Sequence, residues 1–248
     1  MMRYEKTVRA TFIERENRFM ATVRLEDGSE VKVHVKNTGR CRELLVPGCK
    51  VYLEDFDGRM GSRKMRYSLI AVEKKRPGMG DLLINMDSQA PNKVVQEALE
   101  TGVLELPGMK GELTTVKPEQ KYGASRFDFY VESEHDRAFI EVKGVTLEEA
   151  GFARFPDAPT ERGLKHINEL VGAYAEGYEA FIVFVIQMKE MHVFGPNYET
   201  QPEFGRTLIE AEKAGVKILA YDCEVRPDSL KLDMPVAIDL NEKQAEEE

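Results

Sequence analysis

The sequence predicts a mixed α/β (α+β) protein in which a small β-barrel is followed by an α/β domain. Short runs that alternate apolar and polar residues dominate the first third of the chain, whereas strand-like and helix-like runs alternate after about residue 80. Five short strands within about 75 residues favour a barrel such as an OB-fold, with an SH3-like barrel as the alternative. Strands that alternate with helices favour a sheet containing parallel pairs.

The barrel strands are identified by their alternation and by the turns between them. Asp27-Gly28-Ser29 precedes the third strand and Pro47-Gly48 precedes the fourth. Phe19 lies next to Met20 in the second strand, so we expect its ring in the core. The five expected strands are Val8–Glu14, Phe19–Leu25, Val31–Val35, Lys50–Asp55 and Met65–Glu73.

The elements of the second part follow from a change in hydrophobic periodicity. Pro91 marks the start of the first helix, while Thr160 suits the N-cap and Gly177 the C′ position of the second. Helical spacing of apolar residues predicts helices over Asn92–Thr101, Thr160–Glu176 and Pro202–Ala214. Apolar or alternating runs predict strands over Arg126–Glu132, Ala138–Lys143, Ala180–Ile186 and Val216–Tyr221.

The boundary between the two parts is expected at Lys74–Asp81. This segment is charged and contains one proline and two glycines, a composition typical of linkers. It divides the chain into a basic domain over residues 1–80, an α/β domain over residues 81–240 and an acidic tail over residues 241–248.

Charge is distributed unevenly along the 248 residues. The whole chain has a net charge of −9, but residues 1–80 hold 18 Lys and Arg against 11 Asp and Glu, a net charge of +7. Residues 81–248 hold 17 against 33, a net charge of −16. A basic domain beside an acidic one can bind a polyanion, although small domains also differ in charge by chance.

Three observations favour a cytoplasmic protein without a membrane partner. The longest apolar run, Ala180–Ile186, is too short to span a bilayer, and the N-terminus lacks the apolar segment of a secretory signal. Three cysteines are an odd number for a disulfide framework, so we expect a reducing compartment.

The strongest chemical pattern joins Asp128 to Glu141-Val142-Lys143. On a strand, Glu141 and Lys143 point to the same face, and a hairpin between the two predicted strands would place Asp128 beside one of them. Two neighbouring carboxylates suit Mg²⁺ (or Mn²⁺), and the lysine could orient or deprotonate a water or stabilise charge on phosphorus. The alternative is a surface salt bridge on a strand pair.

Further polar residues lie near this pattern in the sequence. Glu97, on the polar face of the first helix, is a third candidate acid, and Asp157 lies in a loop after the hairpin. Arg162 and His166 are neighbours at i and i+4 on the second helix. They would form a cationic wall if they faced a phosphate, and ordinary surface if they faced water.

Short motifs along nearly the whole chain, up to about Leu240, resemble those of the sugar fermentation stimulation protein A (SfsA) family. In chain order they are Asn37-Thr38-Gly39, Lys121-Tyr122-Gly123, Ser125-Arg126-Phe127-Asp128, Glu141-Val142-Lys143, Phe155-Pro156-Asp157-Ala158, Thr160-Glu161-Arg162-Gly163 and Lys165-His166. The resemblance implies an N-terminal OB-like domain, a C-terminal domain similar to PD-(D/E)xK nucleases, DNA binding without marked sequence preference, and a link to the regulation of sugar (maltose) metabolism.

The resemblance also implies roles for individual residues. Asp128 and Glu141 would be the metal ligands and Lys143 the catalytic lysine, with Glu97 as the acid on the preceding helix. The helix that carries His166 occupies a place where such nucleases often have Gln or Lys. Histidine at this place departs from the nuclease pattern.

We therefore predict a DNA-binding protein with a Mg²⁺-dependent phosphodiester-cleaving site. The alternative is a non-enzymatic DNA-binding regulator of sugar (maltose) metabolism. A carbohydrate-binding module has little support because the chain contains no tryptophan. Phe19 and Tyr67 are candidate stacking rings, and the oligomeric state is left open. The candidate phosphate-binding residues are Arg15, Arg18, Lys36, Arg40, Arg42, Arg63, Lys64, Arg66 and Arg162.

Overall fold

A computed structural model describes residues 1–37, 39–123 and 125–242. Thr38 of the first family-like motif and residues 243–248 of the expected acidic tail lie outside the described residues. The described elements are three helices and a larger set of strands. The helices are α1 (Ala90–Glu100), α2 (Glu161–Ala175) and α3 (Pro202–Ala214). The strands are β1 (Met2–Arg3), β2 (Thr7–Arg15), β3 (Met20–Leu25), β4 (Glu30–Val35), β5 (Lys50–Asp55), β6 (Tyr67–Lys74), β7 (Leu82–Asn85), β8 (Leu113–Tyr122), β9 (Ser125–Ser133), β10 (Arg137–Val145), β11 (Leu147–Glu149), β12 (Phe152–Phe155), β13 (Glu179–Ile186), β14 (Val193–Pro196), β15 (Lys217–Arg226), β16 (Ser229–Pro235) and β17 (Ala237–Ile238).

The first part of the chain is a closed barrel of five strands. The strand order is β4-β3-β2-β5-β6, and a parallel pairing of β4 with β6 closes the barrel. The other pairings are antiparallel. Alternate residues of each strand fill the interior, including the buried Phe12, Val23, Val33, Leu53 and Leu69. This closed five-stranded arrangement confirms the predicted OB-like barrel.

The second part contains a seven-stranded mixed sheet with helices on both faces. Its order is β1-β16-β15-β13-β10-β9-β8, and the central strands β10, β13 and β15 are parallel. Helix α1 covers one face and forms a separate apolar cluster with it. Helices α2 and α3 cover the other face, and that core is continuous with the barrel interior. The predicted mixed α/β class with parallel pairs is therefore confirmed.

Several strands have no counterpart in the sequence prediction. Strand β8 forms the edge of the large sheet, is mostly polar and contains Pro118. Edge strands tolerate proline and charge because one side makes no ladder hydrogen bonds, so this strand lacks the alternation of a half-buried one. A small sheet, β11-β12-β14-β17, consists of strands of two to four residues, too short for periodicity to be recognised.

The predicted helix ends agree with the observed caps. The Thr160 side chain accepts a hydrogen bond of 3.0 Å from the Gly163 amide at the start of α2. Gly177 follows α2 with a φ of 89°, the left-handed conformation that glycine adopts without strain. Among the described residues, no helix has both the length and the apolar character needed to cross a membrane.

Strand pairing crosses the boundary that the linker composition suggests. Strand β7 follows Lys74–Asp81 but pairs with β6 of the barrel, whereas β1 pairs with β16 of the large sheet. Each terminus of the first part is thereby connected to the rest of the fold. Domain limits at residues 80 and 240 stay predictions.

Candidate active site

Asp128 lies where strands β9 and β10 separate. The antiparallel pairing ends at Phe129 opposite Ile140, so the next residues along the two strands are Asp128 and Glu141. The backbone ladder stops here, and the Asp128 carboxylate takes its place. Its Oδ2 accepts from the Val142 amide at 2.8 Å, and its Oδ1 accepts from Asn92 Nδ2 at 2.7 Å. These two bonds fix the carboxylate beside the strand that carries Glu141 and Lys143.

Glu141 is a buried carboxylate whose two oxygens have different surroundings. Its residue is 3% exposed, and Oε1 accepts from Lys143 Nζ at 2.5 Å and contacts Nδ1 of His166. Its Oε2 is buried and has no hydrogen-bond partner among the described residues. Buried polar atoms without partners are uncommon in folded proteins and often mark the position of a ligand.

The environments of the two carboxylates shift their pKa values in opposite directions. Burial, reinforced by the negative charge of Glu141, raises the pKa of Asp128. Burial also raises the pKa of Glu141, but the contacts with His166 and Lys143 outweigh it and hold that pKa below its ordinary value. Perturbed titratable groups that share one site are a frequent property of functional sites.

The donor set fits a hard divalent cation. Each Asp128 oxygen accepts one hydrogen bond and so keeps a lone pair, while Glu141 Oε2 is unengaged. Across the described parts of the chain, no group of three or more His, Cys, Asp or Glu is arranged to hold a metal. Mg²⁺ is commonly held by one or two carboxylates together with waters and substrate phosphates, so two carboxylates suffice.

His166 connects Glu141 to a basic groove. Arg162 Nε donates to His166 Nε2 at 3.4 Å, which assigns the ring proton to Nδ1 and makes Nδ1 the donor to Glu141. The ring also packs edge-on against Phe127, with centroids 6.3 Å apart. The histidine is therefore held from both sides, and Glu141 is held through it.

The groove beside His166 has a volume of 520 Å³ and a mainly cationic wall. Helix α2 and the β8–β9 hairpin supply its basic side chains, which are Lys121, Arg126, Arg162 and Lys165. Of these four residues, sequence reasoning selected Arg162 alone as a phosphate ligand. The other three lie within the family-like motifs, and their place in those motifs could have marked them as candidates. They converge only because β8, β9 and α2 are adjacent in space.

The structure does not bring Glu97 into this cluster. Its carboxylate pairs with the N-terminal amine of Met1. Asn92, five residues earlier on α1, contacts Asp128 instead. Positions five apart on an α-helix point about 140° away from each other, so the two side chains face different surroundings. In the sequence, Asn92 was recognisable as a polar residue directly after Pro91, at the expected start of the first helix.

The candidate phosphate ligands of the barrel fall into two groups. Four are engaged within the fold: Arg15 donates to loop carbonyls that include Asn37 and Gly39, Lys36 pairs with Glu54 and Asp87, Arg66 pairs with Asp55, and Arg63 donates to Ser68 and stacks on Phe56. The other four are exposed and have no side-chain partner among the described residues. These are Arg18, Arg40, Arg42 and Lys64.

The two candidate stacking rings differ in their exposure. Phe19 is 55% exposed, so the expectation that it lies in the core is wrong. It sits where the chain turns from β2 into β3, beside the exposed Arg18. Tyr67 is buried, with the Arg66 guanidinium 5.0 Å from its ring centroid. Only Phe19 is available to stack on a ligand.

The fold and the site together define the class of protein. Its members combine an OB-like barrel with an α/β domain that carries two carboxylates and a lysine on and beside the central strand β10. Family models describe both parts. The model of the "SfsA N-terminal OB domain" matches residues 13–84, and that of the "Sugar fermentation stimulation protein RE domain" matches residues 89–229. The chain belongs to the sugar fermentation stimulation protein (SfsA) family, as its motifs predict.

Relatives and a solved structure agree with this assignment. The sugar fermentation stimulation protein homolog of Desulfitobacterium hafniense (strain DSM 10664 / DCB-2) is 53% identical over 97% of this chain and 100% of its own. That of Clostridium beijerinckii is 51% identical over 93% of this chain and 96% of its own. The structure of Pyrococcus furiosus SfsA in complex with Ca²⁺ has a TM-score of 0.82 and 28% identity, covering 96% of this chain and 98% of that one.

Proposed function

We propose that this protein is a DNA-binding enzyme that cleaves phosphodiester bonds with the help of Mg²⁺ or Mn²⁺. The observation that carries the proposal is the buried Oε2 of Glu141, which has no hydrogen-bond partner in the described parts of the chain and lies next to a second carboxylate and a lysine. The Pyrococcus furiosus relative was solved with Ca²⁺, which like Mg²⁺ prefers oxygen ligands. A divalent ion at such a site neutralises charge on the phosphate oxygens and lowers the pKa of a bound water.

Each residue of the site has a separate task in this proposal. Asp128, held by Asn92 and the Val142 amide, and Glu141, through Oε2, would hold the ion. His166 would fix the orientation of Glu141 by donating to Oε1. Lys143, whose ammonium lies 2.5 Å from the same oxygen, would stabilise charge that develops on the phosphate or orient the attacking water.

The DNA backbone would lie along the basic groove of Lys121, Arg126, Arg162 and Lys165. The exposed Arg18, Arg40, Arg42 and Lys64 of the barrel would contact phosphates beyond it. Phosphate contacts carry no base information, so binding would show little sequence preference. We also propose a reducing cytoplasmic setting, which the three buried cysteines without disulfide partners support.

The alternative is a DNA-binding regulator of sugar metabolism without enzymatic activity. The names of the relatives refer to the stimulation of sugar fermentation, which favours this alternative. In that case the carboxylate cluster would only bind a metal or support the fold.

The two functions are separated by a cleavage assay combined with metal titration. We expect the wild type to cut at least one substrate in a panel of single-stranded, duplex and branched DNA with Mg²⁺ or Mn²⁺, and none with chelator. Asp128→Asn and Glu141→Gln each remove a ligand oxygen charge, so Mn²⁺ affinity measured by calorimetry should fall about tenfold or more together with the rate.

Glu134→Gln, at an exposed turn, is the matched control. It should change neither the Mn²⁺ affinity nor the cleavage rate. Absence of cleavage across the panel, with unchanged DNA binding, would favour the regulator. Cleavage that persists in both carboxylate variants would place the reaction at another site.

The barrel arginines give a separate prediction about binding. Replacing Arg40, Arg42 and Lys64 together by alanine should weaken binding of all DNA sequences alike, because their side chains are exposed and unpaired among the described residues. The slope of log K against log salt should decrease by about 0.9 per lost duplex phosphate contact. Fluorescence anisotropy at several salt concentrations measures both effects. Arg24→Ala, whose partner is Glu30, is the control, and loss confined to one sequence would contradict the prediction.

A further inference from the structure

A second cavity, of 180 Å³, lies where the barrel meets the α/β domain. The loop after β4 forms one wall through Asn37 and Gly39, and β12 with the loop after it forms another through Arg154 and Asp157. Gly144, near the end of β10, and Gln187, after β13, form a third wall. Gly144 directly follows Lys143 on β10, so one wall of the cavity belongs to the strand that carries Glu141 and Lys143.

Gln187 presents a fixed hydrogen-bond acceptor to this cavity. The residue is 1% exposed, and its Nε2 donates to Asn85 Oδ1 at 3.0 Å and to the Asp87 carbonyl at 3.1 Å. These two bonds assign the amide orientation and leave Oε1 on the cavity side, where no described residue donates to it. A Cβ on Gly144 would lie 2.6 Å from this oxygen, so only glycine keeps it accessible.

Asp157 supplies a second acceptor from the opposite wall. A Cβ on Gly39 would lie 2.6 Å from its Oδ2, so the barrel loop approaches this carboxylate closely. Asp157 is an exposed residue at the open side of the cavity, and partial burial of its carboxyl group raises its pKa. The turn that carries it is held by Asn197, whose Nδ2 donates to the Pro156 carbonyl at 3.2 Å.

The remaining lining consists of Ser88, Thr146, Leu147 and the aromatic ring of Phe155, beside the cation of Arg154. Phe155 lines the cavity and packs against Phe184 and Phe204, at centroid distances of 5.6 and 5.2 Å, which fixes its ring. Arg154 lies at the cavity edge and pairs with Glu149 at 3.4 Å. The held Gln187 oxygen and the exposed Asp157 carboxylate both accept hydrogen bonds and suit a ligand with N–H donors, and the ring offers a surface for a flat group.

We propose that this cavity binds one unstacked nucleobase that bears an exocyclic amine, next to the phosphodiester site. The inference rests on the proposed function, because strand β10, which carries both Gly144 and Lys143, is what connects the cavity with a nucleic acid. The cavity is smaller than sites for drug-sized ligands, which fits a single ring system. A base inside a duplex cannot enter it without leaving the stack, so the substrate would be a single strand or an opened end.

The test compares two oligonucleotides that differ by one amine. A labelled hexathymidylate with a single central adenine should bind about tenfold more tightly than the same strand with unsubstituted purine, as expected for hydrogen bonds to a charged or buried acceptor. Anisotropy is measured with chelator present, so no cleavage is required. Asp157→Asn should abolish the difference, because it replaces an acceptor oxygen by a donor.

Two further variants keep the test decisive. Gly39→Ala places a methyl group against Asp157 and should abolish the difference from the other wall, even if Asp157→Asn proves unstable. Asp27→Asn, at an exposed turn, removes the same charge and should preserve the difference. Loss of a negative charge alone would tighten DNA binding. Weaker binding by Asp157→Asn would therefore not be explained by the change in charge.

Equal affinity for the two strands, or binding of neither, would overturn the proposal. Tight binding of glucose or maltose that depends on Asp157, without base discrimination, would overturn it in favour of a saccharide. Base discrimination without cleavage would leave the cavity proposal intact and reject the enzymatic one. Cleavage without base discrimination would reject the cavity proposal and leave the enzymatic one intact.

Discussion

Replacing Lys143 by alanine should remove strand cleavage while metal and DNA remain bound. Its ammonium lies 2.5 Å from Glu141 Oε1, on the same strand face as the carboxylate that would hold the ion. Removing one group that stabilises transition-state charge lowers rates by about 10²–10³-fold. Single-turnover cleavage at saturating protein measures this effect apart from affinity. Mn²⁺ titration should give a binding constant within a few-fold of wild type, because Glu141 Oε2 is not a partner of Lys143.

The matched control is Lys93→Ala, since Lys93 is exposed on the neighbouring helix α1. It removes the same charge from the helix that carries Asn92, at an exposed position outside the site. If Lys143→Ala cleaves as fast as this control, the lysine only forms an ion pair with Glu141. If both variants lose DNA binding equally, net charge governs the result and the assignment of Lys143 is wrong.

Lys74→Met should strongly destabilise the fold at neutral pH. Lys74 on β6 of the barrel donates to the side chain of Glu148 at 2.6 Å and to its backbone carbonyl at 2.5 Å. The Glu148 side chain is 1% exposed, so removing the lysine leaves a buried carboxylate for which the Gly151 amide is the one remaining donor among the described residues. Loss of one partner of a buried pair costs about 3–5 kcal/mol. Urea denaturation measures it.

The neighbouring lysine provides the control for this prediction. Lys75 pairs with Asp81 at the surface and is 69% exposed, so Lys75→Met should cost no more than about 1 kcal/mol. The double variant Lys74→Met with Glu148→Gln removes the unpaired charge and should recover much of the loss. A double variant as unstable as the single one would show that lost packing of the lysine stem, and not charge, is the cause.

The shift of the Glu148 pKa on folding should have opposite signs in the wild type and in Lys74→Met. Burial tends to raise the pKa of Glu148, but Lys74 and the Gly151 amide lower it below its ordinary value. In the wild type its stabilising contribution is present above the unfolded pKa, about 4.3, and is lost as the pH falls through the folded pKa. Without Lys74, burial dominates and the folded pKa rises. The free energy of unfolding that Lys74→Met loses relative to the wild type should therefore be largest near pH 7 and shrink towards about pH 4.

The sequence by itself determined the elements whose signals are local. Alternation and turns defined the barrel strands, helical spacing with the Thr160 cap defined α2, and an apolar run defined β13. The candidate site was also accessible from sequence, because Glu141 and Lys143 lie two apart on a strand and so share a face. Asp128 required only a hairpin with the register that the structure has. Edge strand β8 and the short strands were missed because they bury no continuous apolar face.

Only the tertiary structure decided which charged residues are available to a ligand. Arg15 and Lys36 looked like phosphate ligands, yet loop carbonyls and buried carboxylates occupy them. Helix α1 turned Asn92 towards Asp128 and Glu97 towards the N-terminus, which depends on its rotation against the sheet. The cavity near Gln187 has walls from segments far apart in sequence. Composition records the number of charges, whereas long-range packing decides which of them are neutralised, because a buried charge must find a partner and an exposed one need not.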